Sequence, residues 1–190
     1  SLDYLRYLQP AYAKTPALRR RARVRTPRGL LRALRWPLLR SSGDRRLVSR
    51  ALDSVDYAMP PSPAIERFLD EQRPDLVIIT PLVGVVASSQ LDLLRSVAAR
   101  RVPAAVCVWS WDHLSSKAII RDLPDRLFVW NDVQKREATE MHGVPSDRVV
   151  VTGAQCFDRW FDRPPTRGRG EFARRVGLAD DRPFILWVCS

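Results

Sequence analysis

The sequence predicts an α/β fold, in which helices flank a parallel sheet, preceded by a basic helical region. Three observations lead to this prediction. Short, continuously apolar segments recur from the middle of the chain onward, as is typical of strands buried inside a parallel sheet. Segments with helical periodicity separate them, and the repeat of roughly 22–30 residues is that of right-handed βαβ units. The formal net charge of +11 belongs almost entirely to the first quarter of the 190 residues.

The basic helical region covers residues 1–58 and contains no predicted strand. Leucines at helical spacing predict three helices there, which Pro10, Pro27 and a turn at residues 42–44 begin or end. Residues 1–50 hold fourteen Lys and Arg side chains against two acidic ones, whereas the rest of the chain holds 18 basic and 19 acidic side chains. The overall charge therefore describes this region and not the α/β part.

The α/β part follows a proline-rich linker at residues 59–63. Helices are predicted to begin at the caps Ser62, Ser89 and Asn131. The last of these helices has Gln134 as the capping partner of Asn131 and ends at Gly143. The predicted strands cover residues 76–80, 105–109, 126–130, 149–152 and 184–189. We therefore predict a Rossmann-like sheet over residues 62–155. The predicted domains are the basic region at 1–58, a Rossmann-like domain at 59–163, and a linker with the first strand of a further domain at 164–190.

Composition also indicates where the protein works. No stretch approaches the ~18 apolar residues of a membrane-spanning helix, and the first residues lack the order of a signal peptide. Because the chain begins without Met and stops inside the apolar run FILWVCS, we expect a fragment of a longer protein. Cys107, Cys156 and Cys189 form no CxxC pair and no zinc-like spacing with the two histidines. We expect buried free thiols, no metal site, and a cytoplasmic protein that is either free or attached to the inner face of the membrane.

The candidate site lies in residues 103–117, PAAVCVWSWDHLSSK, where a predicted strand ends in a cluster of polar and aromatic side chains. Ligands of open parallel sheets bind at this carboxyl edge. Asp112 and His113 follow the strand directly, and either could transfer a proton during catalysis. The alternative is that Asp112 only caps a short helix and that His113 is merely exposed.

Ser110, Ser115, Ser116 and Lys117 extend this candidate site. Their hydroxyls, backbone N–H groups and single ammonium could bind a phosphate or sugar hydroxyls. They are not a P-loop, because the glycines of that motif are absent. Local capping is the alternative interpretation for the last three of them.

Further contacts are predicted at neighbouring strand ends. Trp111 could provide an aromatic surface for a sugar or a base, whereas Trp109 and Trp130 are expected to pack beneath the helices. Asn131 either contacts a ligand or only caps its helix. Gly153 either forms a turn or lets the backbone approach a ligand closely.

The arginine-rich beginning of the chain has three interpretations. It could be a solvated or domain-packing helical surface. It could attach to anionic lipid, since basic helices that carry Leu and Trp36 suit a membrane surface. Nucleic-acid binding is the least favoured of the three, because the region has no recognisable reading motif and few stacking aromatic residues.

Three segments carry a resemblance to a known family: PDLVIIT at residues 74–80, SWDHLSSK at 110–117, and LFVWNDVQKREATEMHGVPSDRVVVTG at 127–153. In this order they resemble the N-terminal half of GT-B-fold transferases. The nearest group is that of CDP-glycerol glycerophosphotransferases and nonhydrolysing UDP-N-acetylglucosamine 2-epimerases, and the resemblance covers residues 62–190. SWDHLSSK is similar to the SWDNLTSK-type segment of that group. His113 stands where Asn is common, which favours Asp112 as the base.

The resemblance implies a two-domain enzyme that moves a glycosyl or glycerol-phosphate group from a nucleotide-activated donor to an acceptor in cell-envelope glycan synthesis. The N-terminal domain would hold a small-molecule or lipid-linked glycan acceptor, whose hydroxyl Asp112 would deprotonate. The nucleotide would bind a C-terminal domain beginning at FILWVCS, so the fragment is expected to be inactive alone. No covalently bound cofactor is implied. The rival is a non-catalytic Rossmann-like module whose basic arm binds an anionic membrane or nucleic acid.

Overall fold

The computed structural model describes residues 2–13, 15–34, 42–82, 89–117, 120–179, 181–185 and 187. The chain forms two compact units, residues 1–153 and residues 154–190. The first unit contains the sheet together with the basic helices that precede it in the sequence.

Within the described residues, the sheet has four parallel strands, as the sequence predicts. They are β1 (Val77–Ile79), β2 (Ala104–Cys107), β3 (Arg126–Val129) and β4 (Val149–Val151). Each strand is slightly shorter than its predicted segment. The strands lie side by side in chain order, with Val106 opposite Ile79 and Leu127 and with Leu127 opposite Val149. This order contains no reversal, so the described sheet lacks the switch point at which doubly wound sheets bind ligands.

Seven α-helices belong to the described part of the first unit. They are α1 (Leu2–Arg6), α2 (Pro16–Arg25), α3 (Arg28–Ala33), α4 (Ser42–Ala58), α5 (Pro63–Gln72), α6 (Ser89–Ala99) and α7 (Asp132–Glu140). Helix α6 connects β1 to β2 and α7 connects β3 to β4, as in βαβ units. A π-helical turn, His113–Lys117, follows β2. None of the helices that the structure describes is long and apolar enough to cross a bilayer.

The hydrophobic core lies against one face of the sheet. Leu127 and Val129 of β3 are fully buried there and pack with Val97 of α6. On the opposite face, Ile78 is 59% exposed and Val150 is 38% exposed. The prediction that the strands are buried on both faces is therefore wrong for these residues. A continuous run of apolar residues does not show whether another element covers the second face of the strand.

The basic helices pack onto the α/β part of the first unit. Arg6 of α1 pairs with Asp53 of α4 at 2.6 Å. Arg95 of α6 binds Asp56 of α4 and, at 3.0 Å, Asp122, which follows the π-helical turn in the chain. The region at 1–58 thus shares an ion pair, Arg95–Asp56, with the helix that connects β1 to β2.

The second unit contains two described α-helices, α8 (Asp158–Phe161) and α9 (Arg169–Val176). Helix α9 ends at Gly177, whose φ of +74° is the left-handed conformation expected of a glycine in that position. The ring of Phe184 stacks on Phe172 of α9 at a centroid distance of 5.7 Å. Phe184 and Ile185 are not in a strand, and the remainder of the strand predicted at 184–189 lies largely outside the described residues.

The cysteines only partly match the prediction. Cys107 of β2 is a free, half-buried thiol, and burial raises its pKa. Cys156 is also free but exposed, so the prediction of a buried thiol is wrong there. Cys189 lies outside the described residues.

Candidate functional site

The predicted site is a hydrogen-bonded turn beyond the carboxyl end of β2. The backbone N–H of Val108 donates to the carbonyl of Phe128 at 2.9 Å and extends the ladder past the last strand residue. The N–H of His113 then donates to the carbonyl of Ser110 at 3.1 Å. The N–H of Ser116 donates to the carbonyl of Asp112 at 2.9 Å. The backbone of the turn is therefore fixed by its own bonds.

Two tryptophans project from this turn into solvent. Trp109 is 65% exposed and Trp111 is 74% exposed. The expectation that Trp109 packs beneath the helices is thus wrong. Trp130 is half-buried and donates its indole N–H to the carbonyl of Val108 at 2.9 Å. Since an indole carries a large apolar surface, two such exposed rings on one turn form an apolar surface suited to a ligand.

Asp112 is the centre of a polar cluster inside the turn. Its carboxylate accepts hydrogen bonds from the hydroxyls of Ser110 at 2.9 Å and Ser116 at 2.7 Å. It also pairs with the ammonium of Lys117 at 2.8 Å, and Lys117 donates to the hydroxyl of Ser110 at 3.2 Å. The structure therefore brings together four of the residues that the sequence singled out.

This cluster decides what Asp112 can do chemically. Burial alone would raise the pKa of the Asp112 carboxyl. The hydrogen bonds from Lys117, Ser116 and Ser110, with the charge of Lys117, outweigh burial and hold that pKa well below its usual range. A carboxylate with so low a pKa is a weak general base near neutral pH. Asp112 is better suited to orient Lys117 and the two hydroxyls.

His113 is 3% exposed, so it is neither a surface residue nor open to a ligand. Its Nε2 contacts the carbonyl of Leu82 at 2.7 Å, and its Nδ1 accepts the backbone N–H of Trp109 at 3.4 Å. The neutral ring therefore carries its proton on Nε2 and donates it to Leu82. Burial lowers the pKa of His113. With both ring nitrogens engaged, His113 connects the end of β2 to the segment after β1.

Gln134 of α7 fixes the turn from outside, although the sequence indicated it only as a capping partner. It is 1% exposed, and its Oε1 accepts the backbone N–H of Trp130 at 2.8 Å. Its Nε2 donates to the carbonyls of Ser110 at 2.9 Å and Trp111 at 3.2 Å. Asn131 caps the same helix by accepting the N–H of Gln134 at 3.0 Å. The capping interpretation of Asn131 thus accounts for its side-chain oxygen.

Glu137, one turn further along α7, also faces the π-helical turn and was not predicted. Its Oε2 is buried and has no hydrogen-bond partner in the described part of the chain. Burial raises the pKa of Glu137, and a hydrogen bond with the side chain of Ser115 opposes this shift in part. Such a carboxyl is closer than Asp112 to the range useful for proton transfer.

Two further residues mark the borders of the site. Arg21 of α2 donates to the carbonyl of Ser116 at 2.7 Å, so the basic region reaches the turn. Gly153, at the end of β4, has a φ of +82°, and a Cβ added there would meet nothing within 4 Å. Its conformation, and not a close approach, therefore explains the glycine at this position.

No family model matches the sequence, and neither a curated protein nor a solved structure matches it. Within the described ranges, no group of three or more His, Cys, Asp or Glu side chains is placed to hold a metal ion. The function proposed for this chain therefore depends on its own residues.

Proposed function

We propose that this chain is the acceptor-binding domain of a GT-B-type transferase that moves a glycosyl or glycerol-phosphate group from a nucleotide-activated donor in cell-envelope glycan synthesis. The observation that carries the proposal is the exposure of Trp109 and Trp111 on a turn whose backbone is already fixed. A flat indole provides apolar contact for one side of a sugar ring. The resemblance of SWDHLSSK to the transferase segment supports the same interpretation.

The polar groups beside the indoles suit a hydroxylated acceptor. Lys117 uses two of its three N–H donors on Asp112 and Ser110, which leaves one for an acceptor oxygen. Its side chain is 40% exposed, so that donor can be reached from solvent. Asp112 holds the ammonium in place, and this preorganisation lowers the entropic cost of binding.

Proton transfer is assigned to Glu137 in this proposal, in place of Asp112 and His113. The pKa of Asp112 is too low for an effective base, and both ring nitrogens of His113 are engaged. The raised pKa of Glu137 makes it the stronger base of the two carboxylates, and because its Oε2 is buried, the proton would reach it through the hydroxyl of Ser115. The acceptor is a small molecule or a lipid-linked glycan in a cytoplasmic setting, and no covalently bound cofactor takes part.

Titration of tryptophan fluorescence with a soluble acceptor analogue tests the proposal. The probes are N,N′-diacetylchitobiose and glycerol 3-phosphate, and the variant is Trp111→Ala. We expect at least one probe to bind and the variant to lose about tenfold in affinity, or about 1.4 kcal/mol, which is within the range for one aromatic stack. Trp160→Ala is the matched control, because Trp160 is 55% exposed in the second unit. The proposal fails if neither probe binds or if Trp111→Ala binds as tightly as the wild type.

A membrane-binding role is a second candidate, because the arginines of α2 and α3 are exposed and form no ion pair with a carboxylate of the described residues. They are Arg19, Arg20, Arg21, Arg23, Arg25, Arg28 and Arg32. Helix α2 buries Leu18 within the fold, so attachment to an anionic bilayer would be electrostatic.

Co-sedimentation with phosphatidylcholine vesicles, with and without phosphatidylglycerol, tests this second candidate. We expect salt-sensitive binding only to the anionic vesicles, and loss of binding in the Arg20→Glu/Arg23→Glu double variant. The double variant Arg174→Glu/Arg175→Glu, on the second unit, is the charge-matched control, because both arginines are exposed. Tighter binding to duplex DNA than to the anionic vesicles at equal salt would reject the membrane in favour of nucleic acid.

A further inference from the structure

A second cleft in the first unit shares no lining residue with the turn at residues 109–117. Its volume is about 570 Å³, which is within the range of small-molecule sites, roughly 300–1,000 Å³. Its walls come from α1 and the segment after it, from α4, and from the carboxyl end of α7. We call it the α1–α4–α7 cleft.

One wall of the cleft offers donors for an anion. Ser49 of α4 is 8% exposed, and its hydroxyl forms no hydrogen bond with any other described residue. Because this hydroxyl lines the cleft, its O–H can donate a hydrogen bond to an anion bound there. Arg50, its neighbour in the chain, also lines the cleft and has no ion pair within the described residues. Arg6 adds positive charge there but is paired with Asp53.

The part of the lining that comes from α7 offers acceptors for a cation. Glu140 is exposed and has no ion pair among the residues that the structure covers. The backbone carbonyls of Glu140 and Met141, at the end of α7, receive no N–H from the described chain. The carboxyl end of a helix carries partial negative charge, which favours a bound cation. His142 lines the cleft but offers no free nitrogen to a ligand, because Ile120 and Leu114 engage its two ring nitrogens.

We propose that the α1–α4–α7 cleft binds a small zwitterion. Its phosphate or carboxylate lies against Arg50 and the Ser49 hydroxyl, and its ammonium lies between Glu140 and the carbonyl end of α7. This site does not depend on the proposed transferase function, since the two sites share no residue.

Isothermal titration calorimetry with phosphoethanolamine and glycine tests the proposal on the whole chain. We expect at least one zwitterion to bind, and inorganic phosphate or ethanolamine alone to bind at least tenfold more weakly. Arg50→Ala and Glu140→Ala should each weaken binding about tenfold or more. Both side chains are exposed, and circular dichroism verifies that the variants fold. Arg20→Ala is the matched control, because Arg20 is an exposed arginine outside the cleft.

Three results would overturn the proposal. The first is that neither zwitterion binds. The second is that inorganic phosphate binds as tightly as phosphoethanolamine, which would indicate a simple anion site. The third is that Arg20→Ala weakens binding as much as Arg50→Ala, which would assign the effect to the basic surface of α2. Trp111→Ala should bind the zwitterion like the wild type, so a failure at the turn and a failure at this cleft are distinguishable.

Discussion

Protonation of His142 should destabilise the first unit in mildly acidic solution. Its Nδ1 accepts the backbone N–H of Ile120 at 3.1 Å, and its Nε2 contacts the carbonyl of Leu114 at 2.9 Å. The neutral ring satisfies both contacts, with its proton on Nε2. A second proton would have to enter at Nδ1, where it would face the N–H of Ile120 in a buried site.

The magnitude follows from the pKa of His142. Burial lowers this pKa from 6.5 to about 4, with a hydrogen bond to Leu114 opposing the shift. The difference corresponds to about 3 kcal/mol of unfolding free energy. Because the unfolded chain takes up the proton first, the full stability is present above pH ~6.5 and is lost as the pH falls towards ~4.

Urea unfolding at pH ~7, ~5.5 and ~4.5 measures this loss. The amide NMR signals of β3 report on the first unit alone. His142→Gln, which cannot be protonated, should be less stable than the wild type at neutral pH, yet its stability should fall less on acidification, by up to about 3 kcal/mol. The contribution of His113 to the pH dependence of the unfolding free energy is present in both proteins and cancels in the comparison. Equal pH dependence of the two proteins would refute the reasoning.

Three further predictions concern α7 and the core. Gln134→Ala should lower the unfolding free energy by about 2–4 kcal/mol, because it leaves one N–H and two carbonyls without their partner; an unchanged urea midpoint would contradict this. Glu137→Gln should raise thermal stability at neutral pH, because burial disfavours the charged carboxylate that Glu137 carries there. The variant should give no such gain at pH ~4, where the uncharged carboxyl is favoured. A loss of stability at neutral pH would count against this prediction. Leu127→Ala should cost about 2–5 kcal/mol because Leu127 is fully buried, whereas Ile78→Ala on the exposed face should cost under about 1 kcal/mol; chemical denaturation of both decides.

The sequence was sufficient to predict the parallel strands, because each is a short apolar run bounded by proline, aspartate or glycine. It was also sufficient for α7, where Asn131 caps the beginning as predicted. Helix α2 was missed because a single buried leucine, Leu18, accounts for most of its packing, and the surrounding arginines hide any periodicity. The exposure of Ile78 was missed because strand burial depends on what lies beyond the strand.

The sequence predicted the site only as a continuous segment, residues 103–117, and not as a set of contacts. Proximity in sequence placed Asp112 among Ser110, Ser116 and Lys117, but it did not show that their contacts would lower the pKa of Asp112. Gln134 was seen only as a cap, because its second role needs the turn and α7 to lie side by side. Glu137 was missed for the same reason, since the face of α7 that meets the turn depends on tertiary packing.

Gln134 donates hydrogen bonds to the backbone carbonyls of Ser110 and Trp111 and does not contact the turn through their side chains. Every amino acid supplies the same carbonyl, so the shape of the turn is separate from the groups that it displays. Trp111 can therefore be exchanged for other residues without the loop losing its form. Because the backbone and the exposed side chains of the turn are independent in this way, ligand preference can change, in evolution or by design, with little effect on folding.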